Sequence, residues 1–370
     1  MRAFQAAVGI TRRLHRSLAT SPWAALRSIN RSYPEACTTF GPGTIPLARD
    51  FNFAYDVIDA RASEQRERPS YPSALVVVPP NGGPAREVCY ASISEQSSQF
   101  AAALRRLGCV KGDAAIVITS KLPEWFGVLF GCFKLGVVAM PGTSLLTAND
   151  IAARVQQSGA RVVAVSPEHV SKVEEIRSRC PTLAHLIVVR DAADASGEAE
   201  AAPPGWHEFA ALCEPEPRHF DRADAEPTLA SDTMMTYFTS GTTGPPKMVP
   251  RDFGYALAHC ATAAFWMDLR EGEVHWSLTD TGWAKAAWGI LFPQMLAGAT
   301  TVLYDPPSFD AAAVLGVIGQ VNVNTFCAPP TAYRLFAQED LSSFELSSLR
   351  RCLGAGEPLN PEVNHAATLT

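Results

Sequence analysis

The sequence predicts an α/β protein built from two packed, mostly parallel α/β subdomains. Short runs of β-branched residues alternate with helical patterns along most of the chain. Each strand–helix–strand unit has the length of a crossover between parallel strands. The 370 residues also exceed what one hydrophobic core usually supports, so more than one subdomain is expected.

The first alternating region begins after residue 90. Ser94–Arg106 carries apolar residues on one face and ends before Gly108, which is typical of a helix with a glycine after its last turn. Ala114–Thr119 is a short β-branched run of the kind buried in parallel sheets. Thr147 and Asp150 resemble a capping box that opens a helix over 148–158. Further strands are predicted at 137–141, 161–165 and 186–189, and further helices at 122–135 and 169–179.

A patternless, acidic and alanine-rich stretch, Asp191–Gly205, predicts an exposed connection before the second alternating region. We therefore predict a first subdomain over 35–230 and a second over 231–363. The second has predicted strands at 234–239, 274–278, 300–304, 324–328 and 350–356, and predicted helices at 254–266, 284–296, 311–319 and 332–338.

The most distinctive motif is Thr239–Lys247, TSGTTGPPK, which follows a predicted strand and precedes a predicted helix. Hydroxyl groups, glycine-freed backbone N–H groups and one lysine suit a polyphosphate near a helix N-terminus. Two residues rather than four separate Gly241 from Gly244, so the motif is not the Walker pattern of P-loop phosphotransferases. Because the same residues are common turn formers, a simple surface turn is the alternative interpretation.

Charge distribution separates the N-terminus from the rest of the chain. Six arginines precede Glu35, the first acidic residue, and the remaining chain carries 25 basic and 37 acidic side chains, a formal charge of −12. This negative charge on the chain beyond residue 34 disfavours nucleic-acid binding. Residues 1–34, rich in arginine and serine, have the composition of a mitochondrial presequence, with a disordered basic tail as the alternative. We find no run of 18 apolar residues, so no transmembrane segment is expected.

Nine cysteines are scattered without a C-x-x-C pair, a pattern that suggests neither a disulfide framework nor a zinc site. His259 and His275 have no recognisable nucleophile partner, so both are expected to be structural. We expect no protein metal site.

Five further segments carry a specific resemblance when taken with the TSGTTGPPK loop. In this order they resemble segments of the mitochondrial medium-chain acyl-CoA synthetases, members of the adenylate-forming superfamily, whose large N-terminal domain has two packed α/β subdomains. The segments are FNFAYDVIDA (51–60), LPEWFGVLFGCFKLGVVAMPGT (122–143), SLTDTGWAKAAWG (277–289), FCAPPTAYR (326–334) and GAGEPLNPEV (354–363).

The resemblance implies a two-step ligase that uses ATP, Mg²⁺ and CoA in the mitochondrial matrix. A fatty-acid carboxylate attacks the α-phosphate of ATP, and the CoA thiol then displaces AMP from the acyl-adenylate. Trp283, Thr331 and Tyr333 would border the acyl pocket, although apolar surroundings alone favour a core position over a ligand contact for Trp283. The segment Gly356, Glu357 and Pro358 would lie along the adenine, and the phosphate loop would comprise Thr239, Ser240, Gly241, Thr242, Thr243, Gly244, Pro245, Pro246 and Lys247.

The resemblance ends at Val363, and residues 364–370, NHAATLT, diverge from it. The family continues with a magnesium-placing glutamate, a ribose-binding aspartate and a small C-terminal lid domain that carries the adenylation lysine. We therefore expect a chain without the lid domain and with reduced or no ligase activity. The alternative is a non-catalytic nucleotide- or acyl-binding fragment that associates with full-length relatives.

Overall fold

Two β-sheets with flanking helices make up the computed structural model, which describes residues 48–193, 202–239 and 246–358. The strands are β1 (Leu75–Val78), β2 (Arg86–Val88), β3 (Ala114–Ile118), β4 (Val138–Pro141), β5 (Val162–Val165), β6 (His185–Val188), β7 (Trp206–Glu208), β8 (Thr233–Thr239), β9 (Lys247–Asp252), β10 (Val274–Ser277), β11 (Thr300–Tyr304), β12 (Thr325–Ala328) and β13 (Arg351–Gly354). The α-helices are α1 (Ala60–Glu67), α2 (Tyr90–Arg106), α3 (Pro123–Leu135), α4 (Ala148–Ser158), α5 (Val170–Ile176), α6 (Phe209–Cys213), α7 (Phe253–Ala261), α8 (Phe292–Ala297), α9 (Ala311–Gln320) and α10 (Pro330–Phe336). Short π-helical segments, Ala54–Asp59, Thr262–Met267 and Ala287–Leu291, precede or follow helices α1, α7 and α8.

The seven-stranded sheet has the order β7-β6-β5-β3-β4-β8-β9. Its strand pairs are parallel except for the antiparallel pair of β8 with β9. Every residue of β3, β4 and β5 is buried, as expected for parallel strands covered on both faces. The prediction of mostly parallel sheets is confirmed.

The six-stranded sheet has the order β13-β12-β10-β11-β1-β2, again parallel except at its β1–β2 edge. Its members come from two distant parts of the chain, because β1 and β2 join strands that follow residue 273. Conversely, β8 and β9 belong to the seven-stranded sheet. The predicted boundary at residue 230 therefore does not separate the two sheets, which interleave along the chain.

Local chemistry explains where helix α4 begins and ends. The Thr147 side chain accepts the Asp150 backbone N–H at 3.2 Å, and the Asp150 carboxylate accepts the Thr147 N–H at 3.0 Å. This is the predicted capping box. Gly159 ends the helix at φ 66°, a left-handed conformation that suits a residue without a Cβ.

Helix α3 is buried on all sides between the sheets and helix α2. Its Lys134 side chain has no exposed surface and reaches Asp59 Oδ1 at 2.8 Å and Ser98 Oγ at 2.8 Å. Burial lowers the pKa of the Lys134 ammonium, and the Asp59 carboxylate opposes that shift. The pair fixes α3 against the segment that leads into α1.

The Glu124 carboxylate in the first turn of α3 destabilises the folded state when it is ionised. Its Oε1 accepts the Ala192 N–H at 3.1 Å, whereas Oε2 is buried without a hydrogen-bond partner among the described residues. Burial raises the pKa of this carboxyl group. The folded state therefore holds the proton more tightly than the unfolded state, so the stability from this group falls as pH rises above the unfolded pKa.

Replacing Glu124 with glutamine is expected to raise the free energy of unfolding at pH 8 by about 1 kcal/mol, because an amide keeps the Ala192 bond without the buried charge. Urea denaturation at pH 5 and pH 8 measures the effect, and the difference from the unsubstituted chain should grow with pH. Glu175→Gln, at an exposed position on α5, is the matched control and should change stability little. A Glu124→Gln chain that is less stable at pH 8 would contradict this account.

Candidate active site

A cavity of about 470 Å³ opens at the carboxyl ends of three neighbouring strands, β11, β10 and β12. The chain passes from β10 to β11 on one side and then to β12 on the other, so strand order reverses at β10. Such reversals are where open α/β sheets bind ligands. The side chains lining the cavity include Lys121, Asp280, Trp283, Tyr304, Phe309, Val314, Thr331 and Leu335.

Trp283 and Thr331 both line this cavity, as the resemblance implies. Trp283 is 48% exposed, so its interpretation as a core residue is wrong. The residue lies in a turn after β10, where the Asp280 carboxylate accepts the Gly282 N–H at 2.7 Å and holds the indole at the cavity mouth. Phe309 and Leu335 add further exposed apolar surface there, and no motif in the sequence indicated them.

Tyr333 lies elsewhere, in the core beneath the sheet. Its ring packs on Phe326 and Phe336, and its hydroxyl donates to the Leu353 carbonyl oxygen at 2.9 Å. Thr331 and Tyr333 are two residues apart on helix α10, so their side chains point to different sides of the helix. Tyr333 therefore ties α10 to β13 rather than lining the cavity.

Lys285, which the sequence reading missed, lies just beyond the same turn. Its Nζ donates to the Leu278 carbonyl oxygen at 3.0 Å and lies 5.5 Å from the centre of the Trp288 ring. Burial lowers the pKa of the Lys285 ammonium. Only the presence of a lysine in an otherwise apolar helical pattern could have drawn attention to it.

The phosphate-loop motif connects two antiparallel strands, with Thr239 of β8 paired with Lys247 of β9. The expected helix does not follow the motif directly, because helix α7 begins at Phe253, after β9, with its N-cap at Asp252. Thr239, Pro246 and Lys247 are described, and Lys247 is exposed. Ser240, Gly241, Thr242, Thr243, Gly244 and Pro245 lie outside the described residues.

The predicted adenine segment follows β13 at the same edge of the six-stranded sheet as the cavity. Gly356 has φ 106°, a backbone conformation that favours glycine. Glu357 pairs with Arg334 of α10 at 3.4 Å, and Pro358 is the last described residue. The pair joins this segment to the helix that contributes Thr331.

Loops from the two sheets meet beside the cavity. The Thr281 hydroxyl donates to the Thr119 carbonyl oxygen at 2.7 Å, and Lys121 pairs with Asp305. Thr119 and Lys121 follow β3 of the seven-stranded sheet, whereas Thr281 and Asp305 follow β10 and β11. The carboxyl edges of both sheets therefore face a shared crevice.

His275 and His259 lie away from the cavity lining. Burial lowers the pKa of His275 to about 3 and that of His259 to about 4, so both imidazoles are neutral at physiological pH. His259 lies with its ring nearly parallel to that of Phe292, at 5.8 Å between centroids. This packing supports the structural role that the sequence suggests.

The described ranges hold no arrangement suited to a metal ion or to a membrane span. Within them, no cluster of three or more histidine, cysteine, aspartate or glutamate side chains could hold a metal ion, and eight cysteines are free. Nor does any helix within these ranges combine the length and apolarity needed to cross a bilayer. The predicted presequence, residues 1–34, and the divergent tail, 364–370, lie outside the described residues.

An interleaved pair of parallel sheets with a cavity at their facing carboxyl edges defines a ligand-binding α/β domain. The chain belongs to the AMP-binding enzyme family, whose model matches residues 59–368. It is 34% identical over 325 residues to human mitochondrial acyl-coenzyme A synthetase ACSM4, covering 86% of this chain and 53% of that protein. It is 35% identical over 328 residues to mouse mitochondrial acyl-coenzyme A synthetase ACSM5, covering 87% of this chain and 54% of that protein.

Solved structures give the same result for the fold. The anthranilate CoA ligase AuaEII, in complex with anthranoyl-AMP, matches with a TM-score of 0.75 and 27% identity over 87% of this chain and 58% of its own. Acetoacetyl-CoA synthetase from Streptomyces lividans matches in fold with a TM-score of 0.75 and 23% identity, over 87% and 49%. The predicted adenylate-forming fold and the resemblance to mitochondrial acyl-CoA synthetases are confirmed. The chain spans about half the length of the curated relatives it matches.

Proposed function

We propose that this protein is an AMP-forming acid–CoA ligase that activates a short- or medium-chain fatty acid through an acyl-adenylate. The observation that carries the proposal is an apolar cavity at the carboxyl edges of two facing sheets, where the segment predicted for adenine and the strand before the predicted phosphate loop also end. Similarity to acyl-coenzyme A synthetases and to a ligase solved with anthranoyl-AMP supports the same reaction class.

The phosphate loop provides the electrostatics for the first step. The carboxylate oxygen forms a bond to the α-phosphorus while the bond to the bridging oxygen breaks, and pyrophosphate leaves with the electron pair. Hydroxyl donors from Ser240, Thr242 and Thr243, together with the Lys247 ammonium, would stabilise the growing negative charge on that leaving group. Gly241 and Gly244 would let the backbone approach the phosphates closely.

The cavity suits the acyl chain. Aromatic and aliphatic side chains dominate its lining, and its volume falls within the range of about 300–1,000 Å³ found for small-molecule sites. Burying each methylene of the acid would contribute about 0.8 kcal/mol. In the second step the CoA thiolate would attack the acyl carbonyl and release AMP.

Magnesium would enter with ATP rather than at a site prepared by the protein. The described ranges contain no cluster of three ligands for a metal ion, and Mg²⁺ is commonly held by substrate phosphates with one or two carboxylates.

A mitochondrial matrix location is part of the proposal. The arginine- and serine-rich composition of residues 1–34 and the mitochondrial relatives support it. A fluorescent reporter fused after residue 34 should co-localise with a matrix marker, and a diffuse cytosolic signal would contradict this location.

Octanoate binding tests the acyl cavity directly. Trp283→Ala is expected to raise the Kd for octanoate by about 10-fold, because roughly 1–2 kcal/mol of apolar contact is lost. Calorimetric titration measures the change. Trp266→Ala is the matched control, since Trp266 is also partly exposed, at 38%, but does not line the cavity. Equal octanoate affinities for the Trp283→Ala and unsubstituted chains would contradict the assignment of this cavity.

A further inference from the structure

The Asp280 carboxylate joins the two sheets beside the cavity. Its Oδ2 accepts the Ser144 hydroxyl at 2.9 Å, the Thr143 hydroxyl at 3.2 Å and the Ser144 backbone N–H at 3.4 Å. Its Oδ1 accepts the Gly282 backbone N–H at 2.7 Å. One side chain therefore connects the turn after β10 with the loop after β4.

Other contacts keep this junction in place. A Cβ built on Gly282 would lie 1.9 Å from both the Gly142 carbonyl carbon and the Thr143 nitrogen, so the two backbones touch. Behind the Thr143–Ser144 loop, Lys172 Nζ donates to the Ser144 carbonyl oxygen at 3.2 Å and to that of Leu146 at 2.8 Å. The loop that donates to Asp280 is thus itself anchored to helix α5.

The geometry requires a carboxylate at position 280. Backbone N–H groups can only donate, and the Gly282 and Ser144 groups point at different oxygens of Asp280. An asparagine has a single oxygen and would satisfy only one of them. The substitution would release either the turn that holds Trp283 or the loop of the opposite sheet.

The two elements joined by Asp280 belong to different halves of the proposed site. Trp283 lines the acyl cavity, and the Thr143–Ser144 loop follows β4, the strand paired with β8. Strand β8 leads directly into the phosphate loop. We propose that Asp280 is a positioning residue that sets the spacing between the acyl cavity and the end of strand β8, from which the phosphate-loop motif continues.

This inference rests on the proposed function, because the spacing matters only if the cavity and the loop hold the two reacting groups. Carboxylate and α-phosphorus must approach to about 3–3.5 Å for attack, and a misplacement of about 1 Å can cost roughly 100-fold in rate. A junction between the sheets would control that approach through the two loops it joins, because the four hydrogen bonds of the Asp280 carboxylate all go to groups of those loops.

The test compares three ligands on the 370-residue chain: MgATP, octanoate and the acyl-adenylate mimic 5′-O-(N-octanoylsulfamoyl)adenosine. Asp280→Asn is expected to raise the Kd for the mimic by about 10-fold or more, because that ligand alone must contact both halves of the proposed site at once. MgATP should stay within about threefold of its original Kd, whereas octanoate binding should weaken, but by less than that of the mimic, since Asp280 and the Trp283 turn also line the cavity. Ser144→Ala, which removes one of the bonds, should give a smaller loss in the same direction.

Asp340→Asn is the matched control. Asp340 also accepts two hydroxyls and one backbone N–H, from Ser342 and Ser343, but all its partners are local and exposed. This variant should leave all three affinities unchanged. Equal losses of affinity for all three ligands in Asp280→Asn, together with a lower melting temperature, would show a merely structural role. That result would overturn the inference, and so would an undiminished affinity for the mimic.

Hydrogen exchange separates failure of this inference from failure of the proposed function. Asp280→Asn should accelerate amide exchange in 142–146 and 278–284 together, whether or not any ligand binds. Accelerated exchange in only one of the two segments, or in neither, would overturn the claim that Asp280 joins them. If the exchange result holds but the unsubstituted chain binds none of the three ligands, the proposed function is the part that fails.

Discussion

Replacing Gly282 with alanine is expected to lower the free energy of unfolding by about 3 kcal/mol, at the upper end for overpacking substitutions. The added Cβ would lie 1.9 Å from backbone atoms of Gly142 and Thr143, and backbone cannot move aside as a flexible side chain can. We also expect octanoate binding to be lost, because the turn that carries Trp283 must be displaced. Urea denaturation and calorimetric titration measure the two effects.

Gly316→Ala is the control for this substitution. Gly316 lies within helix α9, and a Cβ added there would meet no atom of the described residues within 4 Å. Alanine at this position should stabilise the chain by about 0.5–1 kcal/mol, since a helical glycine carries an entropic cost. A Gly282→Ala chain with unchanged stability and full octanoate affinity would show that the two loops do not touch.

Replacing Ser240, Thr242 and Thr243 together with alanine is expected to raise the Kd for MgATP by about 100-fold or more. Each hydrogen bond to a charged group contributes about 1.5–3 kcal/mol, and three donors to the phosphates would be removed. Octanoate binding should remain, because the described lining of the cavity comes from other segments of the chain. Calorimetric titration with each ligand separates the two affinities.

A second triple variant controls for the loss of hydroxyls as such. Ser342, Ser343 and Ser347 are exposed in a turn before β13, and their replacement by alanine should leave the affinity for MgATP unchanged. Similar MgATP affinities for the phosphate-loop variant and for this control would show that the loop does not contribute to nucleotide binding.

Local patterns in the sequence predicted most of the parallel strands but not the way the sheets interleave. Runs such as Ala114–Ile118 are apolar throughout because both faces of the strand are covered. By contrast, the pairing of β1 with β11 joins Leu75–Val78 to Thr301–Tyr304 across more than half of the chain. No local periodicity records which distant strand becomes a neighbour, so the boundary at residue 230 missed this exchange.

Strand β9 shows how position in a sheet can override local chemistry. No strand was predicted between the phosphate-loop motif and the helix at 254–266, yet Lys247–Asp252 forms β9 and includes Pro250, which cannot donate to a strand ladder. The strand lies at the edge of the seven-stranded sheet, where one side needs no partner, and Pro250 is tolerated opposite Thr236. The motif consequently joins two antiparallel strands, and the helix that follows begins only at Phe253.

Site residues were predicted to different extents for similar reasons. The DTGW and APPTAYR motifs placed Trp283 and Thr331 at the cavity, but the exposure of Trp283 depends on the turn formed by Asp280 and Gly282. Tyr333, two residues from Thr331, faces the core because of the geometry of helix α10. A motif indicates the neighbourhood of a site, whereas side-chain direction follows from the element that carries each residue.

The most direct test of the central claim is the affinity of the unsubstituted chain for 5′-O-(N-octanoylsulfamoyl)adenosine, compared with those for AMP and octanoate alone. If the cavity and the phosphate loop form one adenylation site, the mimic should bind with 1:1 stoichiometry and at least about 100-fold more tightly than either part. It should also displace MgATP. A mimic that binds no better than AMP, or that leaves MgATP bound, would contradict the account.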